Sequence, residues 1–154
     1  MAERDDDAAF PLGASLDFLR HLWRLNHALE RASLRMDRRI GLTAQQRFLL
    51  RCIGRYPGIT PGDAARVLHV DPGTVSSTIR RLEGKGLVAR RRDPADRRRV
   101  TLGLTPAGRA LDGSDPRTVE GAIDKLLAQA TGAEIDATVA TLVRLERLID
   151  EEPE

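Results

Sequence analysis

The sequence predicts a mainly α fold with one small β-hairpin, and three observations carry that reading. Oxygen-bearing residues precede apolar runs at five places, each able to accept a backbone N–H that a first helical turn leaves unpaired. Near residues 87–104 the pattern changes to period-two alternation, as in a half-buried strand pair. Aromatic residues make up only 3% of the 154 residues, so the core must come from Leu, Val, Ile and Ala, an aliphatic inventory that suits packed helices.

A long first helix is expected over about residues 12–39, where Leu12, Leu16, Leu19, Leu22, Trp23, Leu29 and Met36 mostly fit one helical face. Thr43 with Gln46 has capping-box spacing and opens a second helix over 44–55, which Tyr56-Pro57-Gly58 ends. Thr60-Pro61 with Asp63 opens a third helix over 61–68, and Asp71-Pro72 a fourth over 72–84. Proline at the first helical position forfeits nothing, because the N–H there has no helical partner. A very short connection around His69 and Val70 separates these two helices.

Gly84-Lys85-Gly86 stops the fourth helix, and two strands follow, Leu87 to Arg92 and Arg98 to about Leu104, with Val100, Leu102 and Leu104 facing one way. The tip between them, Asp93-Pro94-Ala95-Asp96-Arg97, is polar and contains a proline. Thr105-Pro106 starts another helix, and Gly113 with Pro116 breaks or kinks it. Ile123, Leu126 and Leu127 then mark one helical segment. Thr131 with Glu134 opens the last, which carries Ile135, Val139, Leu142, Leu145, Leu148 and Ile149. An apolar face this broad on a small protein usually needs more cover than the same chain supplies, so a helix from a second subunit is expected against it, the alternative being packing onto the first helix of the same chain.

Charge is distributed unevenly along the chain. Net charge is only +2, yet residues 60–109 carry eleven Lys and Arg against five Asp and Glu, whereas residues 110–154 carry four against eleven. A basic middle suits a polyanion, and an acidic tail is repelled from the same surface. The first ten residues hold Asp5, Asp6 and Asp7 where an export signal needs positive charge, and no run approaches the ~18 apolar residues of a membrane span. The single cysteine, Cys52, excludes an internal disulfide. A soluble protein of the reducing cytoplasm, with no membrane partner, is expected.

Read face by face at ~100° per residue, the fourth helix turns Val75, Ile79 and Leu82 inward. That leaves Gly73, Ser77, Arg80 and Arg81 outward, with Thr74 at the edge. Small residues at the helix start allow close approach to a major groove, and the two arginines reach a guanine or a phosphate. Around the hairpin, Arg90, Arg91, Arg92, Arg97, Arg98 and Arg99 crowd together against only Asp93 and Asp96. A thin ribbon tipped with guanidinium groups fits a minor groove, whose negative potential favours arginine.

These residues resemble a known family. The run Asp96-Arg97-Arg98-Arg99-Val100-Thr101-Leu102-Gly103-Leu104-Thr105-Pro106-Ala107-Gly108 closely resembles the wing-to-helix segment of MarR-type regulators, D-x-R followed by apolar alternation and L-T-x-x-G. Asp71 to Ser77, with Leu82-Glu83-Gly84-Lys85-Gly86-Leu87-Val88, is similar to that family's recognition helix and strand entry. The resemblance covers residues 43–109 and implies a winged helix-turn-helix lobe there, with residues 12–39 and 116–150 forming a terminal-helix dimerisation lobe of one MarR-like chain, 1–154. It further implies a homodimer on pseudo-palindromic double-stranded DNA with half-sites ~10 bp apart. The fourth helix is then in the major groove. Arg98 is the minor-groove arginine, flanked by Arg97 and Arg99, and Asp96 orients its basic neighbours. Gly113 to Pro116 departs from the family, whose helix is continuous there.

The expected function is therefore transcriptional regulation, as a repressor, with release by a small aromatic effector. Trp23, Asn26 and His27 on the first helix, with Arg51 and Cys52 on the second, are the candidate pocket residues. Cys52 reads as a buried, inert thiol, since a redox sensor needs exposure and a depressed pKa. Catalysis is not expected. The only histidines are His21, His27 and His69, no glycine-rich phosphate loop is present, and no spacing suits a metal or another cofactor. The alternative is an adaptor whose winged fold contacts acidic protein partners without sequence-specific DNA binding.

Overall fold

Threonine and aspartate caps divide the chain into its helices. The computed structural model describes residues 10–92, 96 and 98–151. In order these form α1 (Ala14–Ile40), α2 (Ala44–Arg55), α3 (Pro61–Leu68), α4 (Pro72–Gly84), β1 (Val88–Arg92), β2 (Val100–Leu104), α5 (Pro106–Leu111), α6 (Val119–Leu127) and α7 (Gly132–Asp150). The caps of α2 to α7 are Thr43, Thr60, Asp71, Thr105, Thr118 and Thr131, and each side chain accepts the backbone N–H three residues on. A threonine cap contributes about 1 kcal/mol. Helix α1 lacks such a cap: it follows Gly13, whose φ of 86° places Leu12 outside the helix, and it ends at left-handed Gly41.

The described chain divides into two compact units, Met1–Gly113 and Ser114–Glu154. In the first, α2 supplies Leu49, Leu50 and Ile53 to one continuous core, and α4 supplies Val75, Ile79 and Leu82, the inward stripe expected from the sequence. The hairpin closes this core with Leu87, Val88, Leu102 and Leu104. Full burial of such a side chain contributes roughly 1.5–3 kcal/mol, so register matters. Val88 pairs with Leu104 and Arg92 with Val100 in an antiparallel ladder, and this register sends Leu102 inward. On its other edge β2 meets the segment after α2, where Leu102 N–H donates to the Ile59 carbonyl at 2.8 Å and Gly58 N–H to the Leu102 carbonyl at 3.2 Å. The wing root is thereby fixed on both sides.

Two glycines and one arginine hold α5 in place. At Gly108, in the first turn of α5, a Cβ would overlap the Leu87 carbonyl oxygen, so only glycine allows that helix to lie against the start of the hairpin. Gly54 faces the Asp112 side chain, so a larger residue there would have to displace that carboxylate. Arg47 of α2 is 2% exposed. Its guanidinium donates to the carbonyls of Leu111 and Gly113, each at 2.7 Å, which satisfies orphan acceptors at the C-terminal end of α5.

The interruption expected at Gly113–Pro116 is present, since α5 ends at Leu111 and α6 begins at Val119. Thr118 is buried and its hydroxyl donates to the Asp115 carbonyl at 2.6 Å. Gly121 lies too close to Asp115 and Pro116 for any side chain. No residue of α7 is buried within the chain, and Leu126, Leu142, Leu148 and Ile149 are exposed. Of the apolar face of α1, only Met36 is buried.

Candidate nucleic-acid interface

The outward face of α4 is organised by its own cap. Asp71 accepts the Thr74 N–H at 2.9 Å and the Thr74 hydroxyl as well. Those bonds, the hydroxyl first, hold the Asp71 carboxyl below the ordinary aspartate range. Gly73, Ser77, Arg80 and Arg81 are exposed and Thr74 is half-buried, the arrangement that the helical period predicts. The hydroxyls are already partly engaged: Thr74 donates to Asp71, and Ser77 donates to the Thr74 carbonyl at 2.9 Å. Toward a base edge each therefore offers acceptor lone pairs first, and donates only by leaving its helical partner. Among the described residues neither Arg80 nor Arg81 has an ion-pair partner, so their charges face solvent at the C-terminal half of this face.

The wing arginines divide into two kinds. Arg90 of β1 is held by Glu83 of α4, with Nε 3.0 Å from the carboxylate, and Arg99 lies 3.8 Å from Asp63 of α3. These two tie the hairpin to the helices. Asp63 also accepts from Thr60 and Arg66, and those bonds, the Thr60 hydroxyl first, hold its carboxyl low. Asp96 accepts the backbone N–H of Arg98 at 2.9 Å, and its carbonyl accepts that of Arg99 at the same distance. Asp96 thus acts on its neighbours through their backbone, shaping the turn that presents Arg98. The Arg98 side chain is exposed and has no ion-pair partner among the described residues. Arg97 and the tip residues 93–95 lie outside the described residues.

The five candidate pocket residues are placed differently from one another. Trp23 is 63% exposed. Asn26 and His27 both bond to Glu30 on the surface of α1. Arg51 pairs with Asp112 at 3.1 Å. Cys52 is buried, which pushes its thiol pKa up, as an inert core cysteine requires. A cleft of about 410 Å3 lies instead between the end of α2 and the wing root, with Pro57, Leu102, Arg91, Arg109 and Asp112 among its lining residues. None of the five lines it.

A family model described as MarR family matches residues 42–100. A Thauera aromatica protein named "Putative transcriptional regulatory protein for hcr operon" is 30% identical over 113 residues, covering 73% of this chain and 68% of its own length. The chain belongs to the MarR family. A second relative, the HTH-type transcriptional regulator TtmR of Methylorubrum extorquens, is 33% identical over 128 residues, or 81% of this chain; the match spans 62% of TtmR. Among solved structures, the transcriptional regulator SlyA superposes with a TM-score of 0.70 at 25% identity, covering 88% of this chain and 95% of SlyA. The Staphylococcus aureus MepR–DNA complex does so with a TM-score of 0.68 at 25% identity, covering 84% and 96%. This MarR-family chain therefore has the winged-helix fold, mainly helical with a two-stranded antiparallel wing.

Two residues that organise the interface escaped the sequence reading. Lys85 joins the end of α4 to α1 and α2, and Asp63 joins α3 to the wing. Asp63 stands out in sequence only as a weak capping-box residue, and nothing in the spacing of Lys85 announces its partners.

Proposed function

We propose that this chain is a homodimeric, sequence-specific DNA-binding transcriptional repressor. Helix α4 enters the major groove with Gly73, Thr74, Ser77, Arg80 and Arg81, and the wing places Arg98, with Arg97 and Arg99, at the minor groove behind the turn that Asp96 shapes. The observation that carries this reading is the pairing of one small-then-basic exposed face on α4 with an arginine-bearing wing, Arg80, Arg81 and Arg98 all lacking ion-pair partners among the described residues. The comparisons support it, since a MepR and a FabT structure were solved with DNA. So do mycobacterial relatives named as transcriptional repressors.

The dimer is supported by the exposed apolar faces of α1 and α7, which no single chain covers. Residues 12–39 and 116–150 then form the dimerisation lobe and residues 43–109 the winged lobe. Release by a small aromatic effector belongs to the same proposal, and the cleft at the wing root, of ligand-pocket size, is a second candidate place for it beside Trp23, Asn26, His27, Arg51 and Cys52. A site in the cytoplasm fits a DNA-bound regulator, and no helix among the described residues is long and apolar enough to cross a membrane.

Selection of bound fragments from random duplex DNA by the purified protein tests the reading. Enrichment of a two-fold symmetric motif with half-sites ~10 bp apart is expected. Failure to enrich any motif, together with retention of protein partners after nuclease treatment, would reject it in favour of the adaptor.

A further inference from the structure

The ammonium of Lys85 is the meeting point of three helix ends. Lys85 caps the C-terminus of α4, and its Nζ donates to the carbonyl of Gly41, the left-handed cap that ends α1. It also donates at 2.9 Å to the Gln46 side-chain oxygen in the first turn of α2, and stands 4.0 Å from the Asp37 carboxylate in the last turn of α1. Gln46 is buried, which confines its side chain, and its backbone N–H is held by the Thr43 cap. Ser33 of α1 accepts the Ala44 N–H at 3.0 Å, which locks α1 to the start of α2. The rest of α4 packs on α2, α3 and β1. A cation at the C-terminal end of α1 is favoured by the helix dipole as well as by its direct bonds.

We propose that Lys85 is a positioning residue through which α1 sets the orientation of the α4 recognition helix. The inference rests on the DNA-binding dimer reading: α1 is held in the dimer, α4 is in the groove, and Lys85 fixes one against the other. Its effect falls on how well two recognition helices match two half-sites at once, and not on the contacts that either helix makes alone. Lys85 is at the end of α4 opposite its small, capped start, so it does not itself read bases.

The test uses the full chain and the duplex selected by the wild type. Affinity is measured by fluorescence anisotropy on the two-half-site duplex, on a single half-site, and on duplexes whose half-site spacing is changed by about one or two base pairs, roughly 36° of rotation for each. For Lys85→Met, affinity on the full site is expected to fall about five- to tenfold, within the usual range of coupling between sites. Single-half-site affinity stays within about twofold, and the preference for one spacing flattens. Lys85→Arg restores most of the full-site affinity. Gln46→Leu removes one acceptor and keeps the ammonium, so it gives the same signature at smaller size and serves where Lys85→Met folds poorly. Equal losses on full and half sites would make Lys85 a DNA contact or a general support of the fold, and unchanged affinities would leave it idle; either overturns the proposal. If the wild type selects no two-half-site duplex, the DNA-binding reading falls first and this inference with it.

Discussion

Replacing Arg47 with methionine tests whether a buried guanidinium holds α5 onto the winged unit. The side chain is almost wholly enclosed and makes two bonds of 2.7 Å to the carbonyls of Leu111 and Gly113. A hydrogen bond to a charged group contributes about 1.5–3 kcal/mol, so two contribute about 3–6. Methionine fills much of the same volume, which limits any cavity. Gly113 is exposed and Leu111 half-buried, so water reaches the released carbonyls and reduces the loss to about 2–4 kcal/mol. That is a large part of the 5–15 kcal/mol typical of a domain. Urea unfolding followed by circular dichroism measures it, at one fixed protein concentration because subunit association adds to apparent stability. Arg55→Met, an exposed arginine on the same helix, is the control. A loss for Arg47→Met no larger than for Arg55→Met would refute the clamp.

Gly108→Ala drives a methyl group into the Leu87 carbonyl and is expected to lower stability by about 1–3 kcal/mol in the same unfolding assay, as overpacking does. Leu142→Glu puts a charge on the exposed apolar face of α7; sedimentation should then show the monomer mass, while the winged unit keeps its helical signal. Asp63, Asp71 and Glu134 all have lowered pKa values, through bonds to Thr60, Thr74 and the Thr131 backbone N–H respectively. Their contribution is therefore fully present above the unfolded carboxylate range of about 4 and is lost as pH falls through the folded values. An acid titration of thermal midpoint should decline below about pH 4, and less steeply for Asp63→Asn combined with Asp71→Asn.

Most of the fold was legible because its helix starts are written as local chemistry. Thr43, Thr60, Asp71, Thr105 and Thr131 each cap a helix that begins at the next residue. Thr118 caps α6 as well, but glycine at the third position of that helix supplies no capping-box partner to mark it. The second strand starts at Val100 and not at Arg98, because the Asp96 carboxylate takes the Arg98 N–H and bends the chain before the ladder can begin. Residue spacing alone also found the two faces of α4. Tertiary partners were not legible: Arg47 and Lys85 look like ordinary surface cations, and Arg51 like a pocket residue, until folding brings Leu111, Gly41 and Asp112 beside them. The apolar face of α1 was legible as a helical stripe, but spacing does not say how much of it one chain buries: Met36 is buried, Leu22 and Ile40 are half-buried, and Leu12, Leu16, Leu19, Trp23 and Leu29 are exposed.

The central claim is two-site DNA recognition through α4 and the wing. It is tested most directly by measuring affinity for the selected duplex and for a scrambled duplex across a range of salt concentrations, with the wild type and Arg98→Ala. The account predicts a steep fall with salt for the wild type, tighter binding of the selected duplex by about 10³-fold or more, and for Arg98→Ala a weaker complex whose salt slope is shallower by about 1. Equal binding of both duplexes, with Arg98→Ala indistinguishable from the wild type, would contradict it.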